Sequence, residues 1–259
     1  MKISIITVVY NNEDTIEDCI NSVLSQSYED IEYLVIDGDS TDGTKEKIAL
    51  YSDKIDYYIS EKDTGIYDAY NKGISNATGD VIGILNSDDL FHDNDTITKI
   101  VKAFDVSGSD LVYGKGIFVS KNNINEVKRI YPSNPFKSSH LFFGWIPLHP
   151  TIYVKREIYQ EYGLYNQNYS IAGDYDISLR WFKNKYIEKF YLKDWIVKMR
   201  LGGKSTTLSL QKKKSSEDMK IIKNHKLGGI ITLLFKIGRK VPHYIIPRIV
   251  APKHLYRWF

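Results

Sequence analysis

Five carboxylates fall where short apolar runs end. Asp37 and Asp39 follow Ile31–Ile36, Asp63 follows a run near 56–60, and Asp88 and Asp89 come straight after Val81–Leu85. If those runs are parallel strands, the acids share the edge of the sheet where ligands bind. Negative charges gathered there repel one another unless positive charge joins them. A hard divalent cation, Mg2+ or Mn2+, with a phosphorylated ligand meets that need, because such ions take carboxylate and phosphate oxygens together. The plainer reading makes the acids turn formers and helix caps. It suits Asp42 and Asp93 well and Asp88-Asp89 poorly. Glycine-rich phosphate loops of the G-x-G-x-x-G and G-x-x-x-x-G-K-[ST] kinds are absent from the chain, which argues against a dinucleotide dehydrogenase or a P-loop NTPase. The metal would then carry most of the charge neutralisation.

Apolar spacing supplies the elements that position these acids. Ile3–Val9 reads as a buried strand rich in Ile and Val. Ile16, Cys19, Ile20, Val23 and Leu24 share one face of a helix over about 13–26. Strands are predicted at 31–36, 56–60 and 81–85, with helices at 44–51 and from Ile66 to about Ile74 between them. That alternation implies βαβ units and a mostly parallel sheet. Further on, helices are predicted at 96–105, from about Lys155 and over 174–183, and strands near 110–119, 126–131 and 151–154. Residues 132–147 read as a loop rich in Pro, Phe and Ser. Soft boundaries fall near 105–110 and 205–210.

Composition bounds the class. The chain has 259 residues, 42% hydrophobic and 26% charged, which is ordinary globular usage and enough for a sizeable core. A single cysteine, Cys19, excludes a disulfide framework and a cysteine zinc site and fits a reducing compartment. Asn11-Asn12-Glu13-Asp14 follows the first apolar run without a cleavage-type site, so that run reads as a strand and not as a signal peptide. No run of 18 apolar residues lacks a charge, and a transmembrane helix is not expected.

Charge is divided unevenly. Residues 1–218 hold 26 Lys and Arg against 32 Asp and Glu, whereas 219–259 hold nine Lys and Arg and no acid. Leu227, Ile230, Ile231, Leu233, Leu234, Phe235 and Ile237, then Tyr244, Ile245, Ile246 and Trp258, lie among those cations. Such a segment suits an anionic membrane surface. A helical hairpin packed on the body with a solvated basic face is the competing reading. Nucleic acid is not expected as a partner, because the body is acidic. On the membrane reading, a chain ending near Gln211 stays folded.

Five segments, in order, resemble one family: Thr7-Val-Val-Tyr-Asn11, Val35-Ile-Asp-Gly-Asp-Ser-Thr-Asp-Gly-Thr44, Asp63-Thr-Gly-Ile-Tyr-Asp-Ala-Tyr-Asn-Lys-Gly73, Leu85-Asn-Ser-Asp-Asp89 and Ala172-Gly-Asp-Tyr-Asp-Ile-Ser-Leu-Arg180. They are similar to family 2 glycosyltransferases of the GT-A fold, in the bacterial polysaccharide and O-antigen branch. The resemblance spans about residues 1–205. It implies an α/β domain with a mostly parallel sheet flanked by helices. Residues 1–105 would be its nucleotide-sugar half, 106–209 its acceptor and catalytic half, and 210–259 a basic helical tail. It implies that Thr7, Val8 and Tyr10 line the nucleoside pocket and that Asp37 bonds the uracil or ribose. Asp68, Asn71 and Lys72 would face the donor sugar or pyrophosphate. Asn86-Ser87-Asp88 stands at the D-x-D position, so Asp88 would be the main metal ligand, Asp89 its neighbour, and Asn86 a ribose contact. Asp174 would be the catalytic base, a role that suits an anion in the first turn of a helix.

Two positions depart from the pattern. Gly38 stands where the family often has a second Asp, and Asn86 replaces the first Asp of D-x-D. The Q-x-x-R-W signature of processive members is absent, which favours one sugar per binding event. One base and no opposed nucleophile imply direct displacement with inversion. The expected donor is a UDP-sugar, and the expected acceptor a saccharide or lipid-linked saccharide at the cytoplasmic face of a membrane. Asp176 competes for the base role but reads better as a solvated or supporting residue. His149 reads as a structural histidine or an acceptor contact, and Arg200 with 202–205 as a closing loop or a plain turn. The rival functions are a sugar nucleotidyltransferase and a non-catalytic carbohydrate- or lipid-binding module. Tyr10-Asn-Asn-Glu-Asp14 lacks the basic glycine-rich loop of the first, and intact Asp88 and Asp174 argue against the second.

Overall fold

A computed structural model describes residues 1–202 and 208–239. The expectations for 203–205 and for Tyr244, Ile245, Ile246 and Trp258 lie outside these residues. β1 (Ile3–Val9), β2 (Ile31–Asp37), β3 (Tyr57–Ser60) and β4 (Val81–Ile84) alternate with α1 (Ile16–Leu24), α2 (Thr44–Ala49) and α3 (Ile66–Asn76). β5 (Leu90–Phe91), α4 (Thr96–Ser107), β6 (Leu111–Ser120), β7 (Asn123–Tyr131) and α5 (Ser139–Phe142) follow. Then come β8 (Ile152–Lys155), α6 (Arg156–Tyr162), α7 (Gly173–Lys183), β9 (Lys189–Arg200), α8 (Leu208–Asn224) and α9 (Ile230–Gly238).

The strands form one sheet in the order β3-β2-β1-β4-β8-β6-β9-β5, with β7 paired to the outer half of β6. Parallel ladders carry most of the pairing, from Ile3 opposite Ile31 in β1–β2 to the long β6–β9 ladder. β4 pairs antiparallel with β8, so the sheet runs unbroken across the soft boundary near 105–110. Strand side chains alternate between faces. Ile3, Ile5 and Val9 pack with α1 and α4, while Ile6 and Val8 pack with α3 and α7. On α1 the residues Ile16, Cys19, Ile20 and Val23 are buried, the three- and four-residue spacing of one helix face. Each such aliphatic side chain contributes about 1.5–3 kcal/mol when removed from water.

Besides the short β5 and α5, which were not predicted, two regions differ from the sequence expectation. β9 went unassigned because Lys189, Lys193, Asp194 and Lys198 interrupt its apolar residues. It is only half-buried, so its polar residues are compatible with a strand. Residues 208–239 are packed on the body. Ile221 and Ile222 of α8 are fully buried, and Asp218 of α8 pairs with Lys236 of α9 at 2.7 Å. Glu217 accepts the backbone N–H groups of Ser170, Ile171 and Ala172 at 2.9–3.0 Å. Hydrogen bonds to a charged group contribute about 1.5–3 kcal/mol each. This is the packed helical hairpin of the competing reading. A chain ending near Gln211 would lose the clamp on the segment that starts α7, which argues against the expectation that it stays folded.

Candidate active site

β4 ends at the loop that carries Asn86, Ser87, Asp88 and Asp89. The start of α1 fixes its backbone: Thr15 donates to the Ser87 carbonyl at 3.1 Å and Asn12 to the Ser87 hydroxyl at 2.8 Å. Asp89 points inward, 1% exposed, and accepts the Asn86 amide at 3.1 Å and the Arg200 backbone N–H at 3.3 Å. The β5–β9 pairing, Leu90 opposite Lys198, brings Arg200 there, and its guanidinium binds Asp18 at 2.5 Å. Asp88 is the outward member. Among the described residues its carboxylate has no hydrogen-bonding partner beyond its own backbone N–H. Burial raises the Asp88 carboxyl above its ordinary range, against the pull of that N–H and the Arg200 charge. Burial and then the Asp88 charge raise Asp89 much further. Among the described residues the Arg200 charge does not offset the burial of the pair.

Aromatic side chains connect this loop to α7. The Tyr70 hydroxyl donates to Asn86 Oδ1 at 2.6 Å, which turns the Asn86 amide nitrogen toward Asp89. Tyr70 packs 5.1 Å from Tyr165, and Tyr165 stacks on Tyr67 at 5.7 Å and 11°. Asp174 lies in the first turn of α7, partly exposed, behind Tyr67. Gly173 is required for that contact, since a Cβ there would meet the Tyr67 ring at 2.8 Å. Tyr70 feels the charges of Asp174, Asp89 and Asp88, so both acidic groups act on its hydroxyl.

Asp174 behaves opposite to Asp88. Burial pushes its carboxyl up, but Lys214, His149, Lys236 and the Tyr175 N–H outweigh it and hold it below the ordinary range. His149 itself is lowered by burial, against the Asp174 charge, so at neutral pH the lysines supply the effect. His149 Nε2 meets the Tyr165 hydroxyl at 2.6 Å and forms part of the wall. Of the two readings of Asp176, solvated or supporting, the structure favours the second. It is 7% exposed and held by His225 at 2.9 Å and Arg180 at 3.4 Å, which argues against it as the rival base.

Several expected donor contacts point elsewhere. Thr7 is fully buried, on the β1 face that packs on α1, and its hydroxyl accepts from Tyr33 at 3.1 Å. Val8 is 7% exposed, and Tyr10, just past the strand, is 49% exposed. Of the three, Tyr10 alone presents a side chain to the surface. Asp37 is fully buried, with Ser40 Oγ and Ser60 Oγ each donating at 2.5 Å; it organises its loop and does not reach out to a base. Asn71 clamps the Tyr165 backbone through both amide atoms at 2.9 Å, so its expected turn toward the sugar is corrected. Lys72 is answered by Glu61 at 2.8 Å and the Lys62 carbonyl at 3.0 Å. Its neighbour Asp68 accepts the Thr64 N–H at 3.0 Å and Gln167 at 3.2 Å. In this arrangement the Lys72 ammonium is not free to meet a phosphate.

The donor set fits a hard divalent cation. Asp88 offers a carboxylate without a cation beside a second, inward acid. Among the described residues no cluster of three or more His, Cys, Asp or Glu encloses a metal. That arrangement matches an ion held by one or two carboxylates and completed by substrate phosphate oxygens. Sequence reasoning missed Tyr67, Tyr165 and Lys214. The first lies inside a motif that had been noticed, but nothing local marks Tyr165 or Lys214.

Residues 4–194 match the profile of Glycosyl transferase family 2. A PGL/p-HBAD biosynthesis glycosyltransferase of Mycobacterium bovis is 29% identical over 210 residues, 79% of each chain. An uncharacterized glycosyltransferase of Rickettsia conorii is 30% identical over 189 residues, 70% of this chain and 31% of that protein. Among solved structures, residues 1–349 of S. aureus TarS in complex with UDP superpose with a TM-score of 0.68 at 19% identity. That match covers 99% of this chain and 74% of TarS 1–349. The mannosyltransferase PcManGT from Pyrobaculum calidifontis, in complex with GDP-Man and Mn2+, gives 0.65 at 17%, over 95% and 71%. With its α/β sheet and its acidic loop after β4, the chain is a glycosyltransferase and belongs to glycosyl transferase family 2.

Proposed function

We propose that this enzyme transfers one sugar from a UDP-sugar to a saccharide or lipid-linked acceptor of a cell-surface polysaccharide, with inversion at the anomeric carbon. The observation that carries the reading is Asp174, a partly exposed carboxylate kept ionised at the start of α7. Its charge and those of the Asp88-Asp89 pair both act on Tyr70. Asp174 takes the proton of the acceptor hydroxyl as its oxygen attacks. Asp88 would hold Mg2+ or Mn2+, with Asp89 supporting it. Such an ion, when bound, stabilises the charge that develops on the leaving diphosphate. Asn86, fixed by Tyr70, holds Asp89 in place. With Asp176 tied to His225 and Arg180, no second free carboxylate stands beside Asp174 among the described residues to serve as a nucleophile, which supports a single displacement. One neighbour supports the donor class: TarS 1–349 was solved with UDP and with UDP-GlcNAc. The test is turnover of UDP-sugars with and without Mn2+, with the product anomer read by NMR. A product with the donor's own anomeric configuration overturns the inverting mechanism.

A peripheral membrane location, at the cytoplasmic face, rests on α9. Ile230, Ile231, Leu234, Phe235 and Ile237 are exposed there. Phe142 and Phe143, also exposed, pack against Phe235 at 6.2 and 4.9 Å. Exposed Lys220, Lys223 and Lys226 flank this apolar face. Among the described residues no helix is long and apolar enough to cross a membrane, so the face would lie on the surface of an anionic bilayer. Phe142→Ser with Phe235→Ser should abolish sedimentation with anionic vesicles and leave UDP binding intact. Unchanged sedimentation removes the membrane reading.

A further inference from the structure

A cavity of about 300 Å³ opens beside the first residues of β6 and β9. Tyr113, Phe136 and Tyr191 bring rings to its wall, and Lys185, Glu188 and Lys189 bring charge. The reaction centre lies elsewhere. β9 starts at the cavity and ends where the Arg200 N–H meets Asp89. α7 spans the same interval. Asp174 stands in its first turn, and Phe182, near its other end, packs 5.3 Å from Tyr113 and 5.2 Å from Phe136. At about 1.5 Å per residue, Phe182 is about 12 Å along the helix from Asp174. Protein contacts fix the wall. The Tyr113 hydroxyl donates to the Asn134 carbonyl at 2.9 Å, the Glu188 N–H donates to Asp110 at 2.9 Å, and Lys189 donates to the Asn184 carbonyl. The Tyr113 and Tyr191 rings lie 5.5 Å apart, and the Lys189 ammonium is 5.8 Å from the Phe136 ring.

We propose that this cavity is a second saccharide site, which holds a sugar unit of the acceptor or product chain away from the reacting hydroxyl. The proposal rests on the saccharide-acceptor reading above and adds a contact remote from the base. A pyranose has an apolar face of C–H groups and an edge of hydroxyls that both donate and accept. The half-buried rings of Phe136 and Tyr191 suit the face. A lysine only donates and a carboxylate only accepts, so the exposed Lys185 and Glu188 offer the hydroxyls one group of each kind. The same wall counts against other occupants. An anion would meet Glu188, and Lys189 already answers the carbonyl that ends α7. A wholly apolar ligand would cover charged groups without pairing them. The volume stands at the lower end of small-ligand cavities, about 300–1,000 Å³, and suits a short stretch of saccharide. Affinity gained at a distant unit holds the chain without burdening the reacting centre.

Binding of the labelled full chain to an array of bacterial oligosaccharides, with UDP and Mn2+ present, tests this. The unaltered protein should retain a subset of them. Phe136→Ala with Tyr191→Ala should abolish that retention. Glu188→Ala alters an exposed side chain and keeps the backbone bond to Asp110, so it tests the site without disturbing the fold. It should weaken the same saccharides about tenfold, the loss expected for a hydrogen bond to a charged group. UDP affinity by calorimetry should stay within a small factor in both variants. If the double variant also loses UDP, its fold is disturbed and Glu188→Ala decides. Undiminished retention by Glu188→Ala overturns the proposal, because the saccharide then sits elsewhere, at the reaction centre. If the enzyme glycosylates a saccharide that the array shows it does not retain, this proposal falls and the transfer reading stands. If it glycosylates no saccharide at all, the acceptor reading fails and takes the proposal with it.

Discussion

Asp88-Asp89 and Asp174-Asp176 are both acidic pairs, and their surroundings give them opposite chemistry. Around the first pair the helper groups are neutral or distant: an Asn amide, backbone N–H groups, and an Arg200 guanidinium already bound to Asp18. Burial dominates, and both carboxyls are held above their ordinary range. Around the second pair α8 and α9 deliver cations. Lys214 and Lys236 overcome burial at Asp174, and Asp176 is bound by His225 and Arg180. Opposed shifts of this kind separate acid, base and metal-binding roles within one site. The first pair waits for positive charge from outside, and the second already has it.

The comparison breaks most visibly at Asp174. Asp174→Asn keeps the shape and the bond to the Tyr175 N–H but cannot take a proton. Single-turnover rates should fall about 10²–10⁴-fold, while UDP affinity by calorimetry stays within a small factor. A comparable loss in Asp176→Asn would move the base to Asp176.

Asp88→Asn attacks the other pair. In Mn2+ its UDP affinity should drop about 10- to 100-fold, and in EDTA it should match the unaltered protein, because the contribution removed belongs to the metal. If the variant keeps its gain from Mn2+, Asp88 is not the ligand.

Tyr70→Phe tests the connection between the pairs. Without the hydroxyl, Asn86 is free to flip and Asp89 loses its fixed donor. Turnover should fall about tenfold at most, the lower end for a residue acting through a ligand, and the loss should appear in the Mn2+ concentration needed for half-maximal rate. A purely structural role would lower the melting temperature instead and leave that concentration alone.

How much of this was legible in the sequence depended on distance along the chain. β1 to β4 and their helices follow from apolar period, and the place of Asp88 and Asp89 at a strand end follows from them. The separation of Asp174 from Asp176 is also local, because residues two apart on a helix point in nearly opposite directions. Asp37 and Asn71 were misjudged for the converse reason. Asn71 is bound by Tyr165, 94 residues away, and Asp37 by Ser60, 23 residues away, as well as by the nearby Ser40; the sequence does not show that the distant partners use the remaining polar atoms. β9 hid behind its lysines. The basic composition after Asp218 suggested a separate tail because charge counts do not show that Glu217, one residue earlier, faces inward and grips the start of α7.

Lys214 tests the contrast at its finest. Asp174 has a folded-state pKa below its unfolded value, so its ionised form persists to low pH and its share of stability is lost only as pH falls through that lowered value. Asp88 and Asp89 are shifted the other way and gain protons earlier as pH falls. The limb of kcat/KM for the donor reports the free enzyme, where protonation of Asp88 competes with the metal. The limb of kcat reports the complex, where the donor is already bound and Asp174 remains to titrate. The acid limb of kcat/KM should therefore lie at higher pH than that of kcat. Lys214→Met removes the cation with the largest effect on Asp174, and burial then moves that carboxyl upward. The kcat limb should shift to higher pH and narrow the gap, while the kcat/KM limb stays in place. Coincident limbs in the unaltered enzyme would show that one group governs both steps, and the contrast between the two pairs would not survive.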